Sequence, residues 1–276
     1  MAALEKMNAA LIKKTYRDYR LPALGAVALL IGFVMVFMLA VSTMLLQNGR
    51  FWAGLPWVRR LMSAMLGADI GEMLTRTGIT SLVFTHALTW VVLIGFLLTL
   101  TSGVLAGEID RGTMDLLAAL PISRTGIYTS LSLVALLFGL PICWAVWMGV
   151  GLGRMLVGWW DVSLDDMAML ACHLYAVYCF LTCFAIAVSA LCNRRTTALL
   201  LCFAVIFYAF VVNLIVAFWP AVRKIAFTSF LHYYPPLPIV RDHAMRWNDI
   251  AVLLTAGLLC WIAGLIGFRR RDVPAR

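Results

Sequence analysis

The chain has 276 residues, of which 63% are hydrophobic and 13% are charged, and its net charge is +9. A soluble domain is roughly 45–50% apolar and about 25% charged, so one water-exposed fold could not bury this much apolar surface. The composition excludes a soluble enzyme, a disordered chain and a small disulfide scaffold. We therefore expect a membrane protein, whose basic excess marks loops at a membrane face rather than a nucleic-acid partner.

Six apolar runs are each long enough for a membrane-spanning helix, which needs about 20 residues. They are continuous rather than alternating, which favours helices over the strands of a barrel. The runs cover about residues 22–46, 81–106, 126–153, 167–191, 196–220 and 250–268. The sequence thus predicts an all-α integral membrane protein that forms one transmembrane domain over residues 1–276.

Six spans place both termini on the same side, and the distribution of Lys and Arg predicts which side. With cytoplasmic termini, thirteen of the 22 basic residues lie in inner segments and nine lie in longer outer segments. We therefore expect cytoplasmic termini and outer loops at residues 47–80 and 221–249.

The sequence pattern of residues 1–21 predicts an interfacial helix before the first span. Leu11 and Thr15 fall on one helical face, and the basic residues fall on another. The basic residues of this anchor are Lys13, Lys14, Arg17 and Arg20. Such a helix would lie on the cytoplasmic surface with its apolar side in lipid and its cations at the headgroups. The alternative is a solvated lead-in without a fixed position.

The two outer loops are too long to be simple turns. Residues 47–80 are rich in aromatic and apolar residues around Arg59 and Arg60, which suits a helix resting in the interface. Residues 221–249 include Pro235, Pro236 and Pro238. These prolines should forbid a regular helix, so we expect the chain to bend or re-enter there.

The chain lacks the motifs of the common hydrolases. None of its four lysines follows a glycine, so it has no G-x-x-x-x-G-K-[ST] phosphate loop and cannot hydrolyse ATP alone. H-E-x-x-H and G-x-S-x-G are also missing. We predict no catalytic residue and no metal site. His86 and His173 lie within the predicted spans; His86 is expected to bond to a neighbour, and the alternative is that it lines a path.

Sulfur-containing residues leave one alternative open. Near one face of the fourth predicted span lie Met169, Cys172, Cys179 and Cys183. Soft sulfur ligands favour Cu(I), so a copper-handling permease is an alternative. The commoner explanation is that cysteine serves as a small apolar residue in buried helices.

One inner segment is short and dense in charge. It covers residues 107–125, between the second and third spans. Thr113 can cap a helical turn, and Pro121 would end it. The expected product is a short amphipathic helix across the membrane face, offering acids and an arginine to a cytosolic partner.

This segment resembles a known family. Glu108-Ile109-Asp110-Arg111-Gly112-Thr113, followed by Leu116-Leu117 and Pro121-Ile122-Ser123-Arg124, is similar to the loop after the second span in permease subunits of type-2 ABC transporters. Phe230-Leu231-His232-Tyr233-Tyr234-Pro235-Pro236-Leu237 resembles the segment that such permeases carry before their last span.

The resemblance implies a six-span exporter permease in a bacterial inner membrane. It would pair with a second permease copy and dock a separate ATP-binding subunit, which would hold the ATP and Mg; the chain itself would bind no cofactor. Contacts with that ATPase would come from Glu108, Asp110, Arg111, Thr113, Asp115 and Leu116. The alternatives are a membrane anchor or regulator that recruits a cytosolic protein, and a membrane-embedded enzyme or channel.

Overall fold

The computed structural model of the chain describes residues 8–53, 75–114 and 122–271, with all their side chains except those of residues 44–53, 217 and 220. Within these ranges the protein is helical and contains no strand. The α-helices are α1 (Ala9–Ala53), α2 (Arg76–Ser81), α3 (Ala87–Val104), α4 (Ala106–Asp110), α5 (Arg124–Val157), α6 (Leu164–Leu191), α7 (Arg195–Phe218), α8 (Pro236–Asp242) and α9 (Trp247–Arg270). Short 3-10 helices cover Leu82–Phe84, Pro220–Thr228 and Phe230–Tyr233.

Six of the described segments are long and apolar enough to cross a membrane. They are Ala9–Thr43, Arg76–Val104, Arg124–Val157, Leu164–Leu191, Arg195–Val216 and Trp247–Arg270. The six predicted spans are thus confirmed, and the protein is a multi-pass membrane protein. Several helices begin before the predicted apolar run because polar residues cap them: Ser123 and Ser163 accept N–H bonds at the starts of α5 and α6.

The first helix runs through the boundary that the sequence predicts at residue 22. Pro22 lies inside α1 on an exposed side, and one proline removes only one ladder hydrogen bond. Leu11 and Thr15 are buried on the same side of α1 as Leu30 and Val34. Residues 9–21 therefore pack against protein with the face that the sequence analysis assigned to lipid.

The partner of this face is α5, which runs parallel to α1. The Asn8 backbone N–H donates to the Ser130 hydroxyl over 3.0 Å. Further along both helices, Gly149 allows close approach, because a Cβ there would lie 2.7 Å from the Val34 Cβ. The two helices stay in contact from their first turns to the far end of the bundle, so α1 is an integral part of the fold.

A second close contact joins the last span to the fourth. A Cβ on Gly264 of α9 would lie 2.6 Å from the Ala187 Cα of α6, and one on Gly257 would lie 3.1 Å from the Phe180 Cα. The two glycines are seven residues apart and therefore share one face of α9. Small residues on such a face let helix backbones approach closely where no hydrophobic effect drives association.

The third span carries Pro141 in its interior. A proline supplies no N–H, and it disturbs the carbonyls of the preceding turn. Two tyrosines of α6 donate to carbonyls in that region: Tyr178 to Ala135 over 3.1 Å and Tyr175 to Leu136 over 3.3 Å. The carbonyl that Pro141 leaves without a helical donor is that of Leu137, so these two bonds connect the fourth span to the third beside the proline without replacing the lost bond.

The second span is interrupted near its start. α2 and the 3-10 helix Leu82–Phe84 precede α3, and His86 caps α3 by accepting the Leu88 N–H on its Nδ1 over 3.2 Å. The His86 ring packs 4.8 Å from the Phe33 ring of α1. His86 therefore caps the start of its own helix, where the sequence analysis expected a histidine within a span that bonds to a neighbour.

The chain between the fifth and sixth spans, residues 219–246, is called the proline segment below. It contains the regular helix α8, so the expectation that its prolines forbid one is wrong. Pro236 and Pro238 occupy the first turn of α8, where backbone N–H groups have no helical partner and proline is tolerated. Phe230 and Tyr234 of this segment are buried among the spans.

Candidate functional site

The described part of the charged segment between the second and third spans, residues 106–114, is called the charged loop below. α3 ends at Val104, and Leu105 leaves the helical conformation with φ −122° and ψ −72°. The Ala106 N–H then donates to the Ser189 hydroxyl of α6 over 3.0 Å. The charged loop is therefore offset from the second span and attached to the fourth.

The charged loop turns sharply at Gly112. Its φ of 71° is in the left-handed region that glycine adopts without strain. The Thr113 N–H bonds to the Glu108 carbonyl over 3.0 Å, and the Gly112 N–H bonds to the Ile109 carbonyl over 3.1 Å. This pair of bonds is the Schellman pattern that ends helices. The short amphipathic helix that the sequence predicts within residues 107–125 is thus interrupted at residues 111–113.

Glu108 connects the charged loop to the first helix. Its carboxylate pairs with Arg111 over 3.0 Å and lies 3.8 Å from the Lys14 ammonium of α1. Thr113 donates its hydroxyl to the same carboxylate. The Glu108 side chain is only 17% exposed, so it faces other residues of the chain rather than solvent.

Asp110 connects the charged loop to the fifth span. Its carboxylate accepts the backbone N–H of Arg195, the first residue of α7, over 3.3 Å. An acid at this place satisfies a helix N–H that has no helical partner, and it interacts favourably with the helix dipole. The Arg195 guanidinium reaches back to the second span and bonds the Ser102 hydroxyl over 3.3 Å and the Thr99 carbonyl over 3.4 Å.

The structure thus brings four of the six predicted docking residues together in one place. Glu108, Asp110, Arg111 and Thr113 share this cluster with Lys14, whereas Asp115 and Leu116 lie outside the described residues. The predicted anchor residues Lys13, Lys14, Arg17 and Arg20 have exposed side chains on α1. Of the four docking residues that the structure describes, Arg111 is the most exposed, with 53% of its side chain accessible to solvent.

The opposite end of the bundle holds polar contacts that the sequence analysis missed. The Asp166 carboxylate, 3% exposed, bonds the Nδ1 of His243 at 2.9 and 3.0 Å. The Nε2 of the buried His173 bonds the Tyr233 carbonyl over 2.7 Å. An acid three residues after Ser163 is a sequence signature of a helix start. The sequence does not indicate the bonding partners of Asp166 and His173, which lie 77 and 60 residues away in the chain.

Two carboxyl groups at the same end have lowered pKa values. The Arg76 guanidinium, 2.9 Å away, lowers the pKa of Asp161 through a side-chain hydrogen bond. The adjacent Arg241 lowers the pKa of Asp242 in the same way. Arg76 also lies over the Trp159 ring at 5.7 Å. The ion pair therefore joins the start of the second span to the turn after the third.

Metal ligands do not converge within the described ranges, where no group of three or more His, Cys, Asp or Glu could hold an ion. All seven cysteines are free thiols. At the loop between the fourth and fifth spans, burial raises the pKa of the Cys192 thiol, which disfavours the thiolate that binds metals.

Comparison with protein-family models, with curated proteins and with solved structures found no match to the chain. The fold indicates a multi-pass membrane protein, with six helices that are long and apolar enough to cross a membrane. A more specific function must be argued from the charged loop and from the resemblance of its sequence.

Proposed function

We propose that this chain is the permease subunit of an ATP-driven exporter whose ATPase is a separate protein. The observation that carries the proposal is the attachment of the charged loop to three spans: to the first through Lys14, to the fourth through Ser189 and to the fifth through Asp110. A loop attached in this way suits the transmission of force into the membrane. A freely solvated loop would have no such attachments.

The proposed mechanism follows from those contacts. Closure of the partner ATPase would push the charged loop, and the Asp110–Arg195 contact would carry the displacement into α7. Because α6 and α9 are in close backbone contact at Gly264, they would move as one unit. Such rigid-body motion is a common way to switch a path between two sides of a membrane.

The further parts of the proposal come from the resemblance. A second permease copy would complete the path, and ATP and Mg would bind in the ATPase subunit. The complex would reside in a bacterial inner membrane with the charged loop in the cytoplasm. Because this chain has no phosphate-loop motif, the proposal assigns ATP binding to a separate subunit.

Affinity isolation of the tagged chain from its native membrane tests the proposal. We expect an ATP-binding protein to co-purify, with ATP turnover that the chain alone lacks. Arg111→Glu should reduce both the recovered ATPase and its turnover several-fold, because it reverses an exposed charge at the proposed contact. Arg223→Glu, which reverses an exposed charge in the 3-10 helix that follows α7, should change neither.

Two results would contradict the proposal. One is a purified chain that hydrolyses ATP without a partner. The other is a complex that Arg111→Glu and Arg223→Glu affect equally. A co-purifying protein without ATP turnover would favour the anchor alternative. For the copper alternative, no group of three or more His, Cys, Asp or Glu among the described residues could hold an ion.

A further inference from the structure

A cleft of about 250 Å³ separates α1 from the charged loop and the end of α3. Its apolar wall is formed by Leu11, Val104 and Leu131. Its remaining lining is polar and consists of Lys14, Thr15, Asp18, Tyr19, Gly103, Glu108 and Arg111. Sites that enclose a drug-sized ligand measure roughly 300–1,000 Å³, so this cleft suits a small polar group and not a large cargo.

The charges around the cleft are balanced. Lys14 and Arg111 contribute two cations, and Asp18 and Glu108 contribute two carboxylates. Glu108 is engaged by both cations, but Asp18 is exposed and forms no ion pair with any described residue. A purely anionic ligand would meet two carboxylates, and a purely cationic one would meet two cations, so neither matches this lining.

Beyond the cleft, α1 presents an apolar surface on the side of Asp18. Gly25 and Leu29 follow Asp18 by seven and eleven residues, which places them on the same side of α1. Leu29 is 51% exposed, and a Cβ on Gly25 would meet no atom within 4 Å. A ligand whose polar group lay beside Asp18 could extend an apolar chain along this part of the first span.

We propose that this cleft binds a zwitterionic phosphoethanolamine headgroup, with the phosphate at Lys14 and Arg111 and the primary ammonium at Asp18. The ammonium donates hydrogen bonds to the unpaired carboxylate, and the phosphate accepts them from the two cations. The acyl chains lie against Gly25 and Leu29. The bound lipid holds α1 against the charged loop, and this role does not depend on the proposed transport function.

Native mass spectrometry of the purified chain in detergent tests the site directly. The chain is titrated separately with phosphatidylethanolamine, phosphatidylcholine and phosphatidylglycerol of identical acyl chains. We expect phosphatidylethanolamine to bind most tightly. The trimethylated choline group cannot donate hydrogen bonds to Asp18, and phosphatidylglycerol offers no cation to it.

Two pairs of matched variants locate the binding. Asp18→Asn and Lys14→Gln should each weaken phosphatidylethanolamine binding about three- to tenfold, as expected for charged hydrogen bonds at a partly exposed site. Asp165→Asn and Lys224→Gln make the same chemical changes at exposed residues outside the cleft, and they should leave the affinity unchanged.

A soluble competitor identifies the source of the headgroup. Displacement of the lipid by millimolar O-phosphoethanolamine supports the site and shows that the headgroup alone is sufficient. Failure to displace a tightly bound phosphatidylethanolamine supports the site with a requirement for acyl chains. Equal binding of the three lipids, preference for phosphatidylglycerol, or full binding by Asp18→Asn would each overturn the proposal.

Discussion

Gly264→Ala tests the close contact between the fourth and sixth spans. The new methyl group would lie 2.6 Å from both the Cα and the Cβ of Ala187, and 2.5 Å from the Tyr128 hydroxyl. Ordinary contact between carbon atoms begins near 3.4 Å, so the overlap is close to 1 Å. The Ala187 Cα belongs to the α6 backbone and cannot rotate away, and therefore the two helices must separate.

The magnitude follows from two contributions. Overpacking in a dense interior costs typically about 1–3 kcal/mol. Displacement of Tyr128 also weakens the bond from its hydroxyl to the Trp261 carbonyl, which is 3.0 Å long and contributes about 1 kcal/mol. The sum of about 2–4 kcal/mol corresponds to a decrease of roughly 4–16 °C in the unfolding midpoint, at about 2–4 °C per kcal/mol for a chain of this size.

Thermal unfolding of the detergent-solubilised chain, followed with a thiol-reactive dye, measures this decrease. The assay is suitable because several of the seven free cysteines are buried. Gly95→Ala is the matched control: a Cβ on Gly95 of α3 would meet no atom within 4 Å, and alanine is the better helix former. Equal midpoints for Gly264→Ala and Gly95→Ala would refute the close contact.

Two further predictions concern the opposite end of the bundle. Arg76 lowers the pKa of Asp161, so their ion pair stabilises the fold above the ordinary Asp pKa and is lost as the pH falls through the lowered pKa. Arg76→Gln removes the cation that lowers this pKa. The variant should therefore shift the acid-induced change in Trp159 fluorescence to higher pH. His173→Leu leaves the Tyr233 carbonyl without its 2.7 Å partner and should cost about 1–3 kcal/mol, measured as a lower unfolding midpoint.

Each of these predictions has a matched control. Arg223→Gln changes an exposed arginine elsewhere at this end, and an equal fluorescence shift would show that net charge rather than the ion pair is responsible. His232→Leu changes the exposed histidine next to Tyr233. If His232→Leu destabilises the chain as much as His173→Leu does, the bond to the Tyr233 carbonyl is not the cause.

The spans were predictable because lipid imposes one strong requirement. A helix that crosses the membrane needs about 20 apolar residues and satisfies its own backbone, so composition along the chain locates it. The ends were less predictable because capping is local and polar. α5 begins at Arg124, after its cap Ser123, rather than at the predicted residue 126.

The charged loop was predicted in part. Its charges and its place between the second and third spans were evident from the sequence. The turn at Gly112 was not predicted, because glycine is compatible with both a helix and a positive φ. The resemblance to a permease loop assigned Glu108 and Asp110 to a partner, and that assignment stays a prediction. The contacts of both carboxylates with other parts of this chain were not predicted.

The sequence by itself was sufficient to predict a membrane protein with six helical spans, because hydropathy and the spacing of apolar residues can be read from consecutive residues. Only the tertiary structure decided that Asp110 contacts Arg195, that Asp166 contacts His243, and that the basic start of α1 forms one wall of a charge-balanced cleft. These pairings join residues far apart in the chain, and their partners depend on how the helices pack. Packing between helices in a membrane depends on shape and on a few polar contacts, which a pattern of apolar residues does not encode.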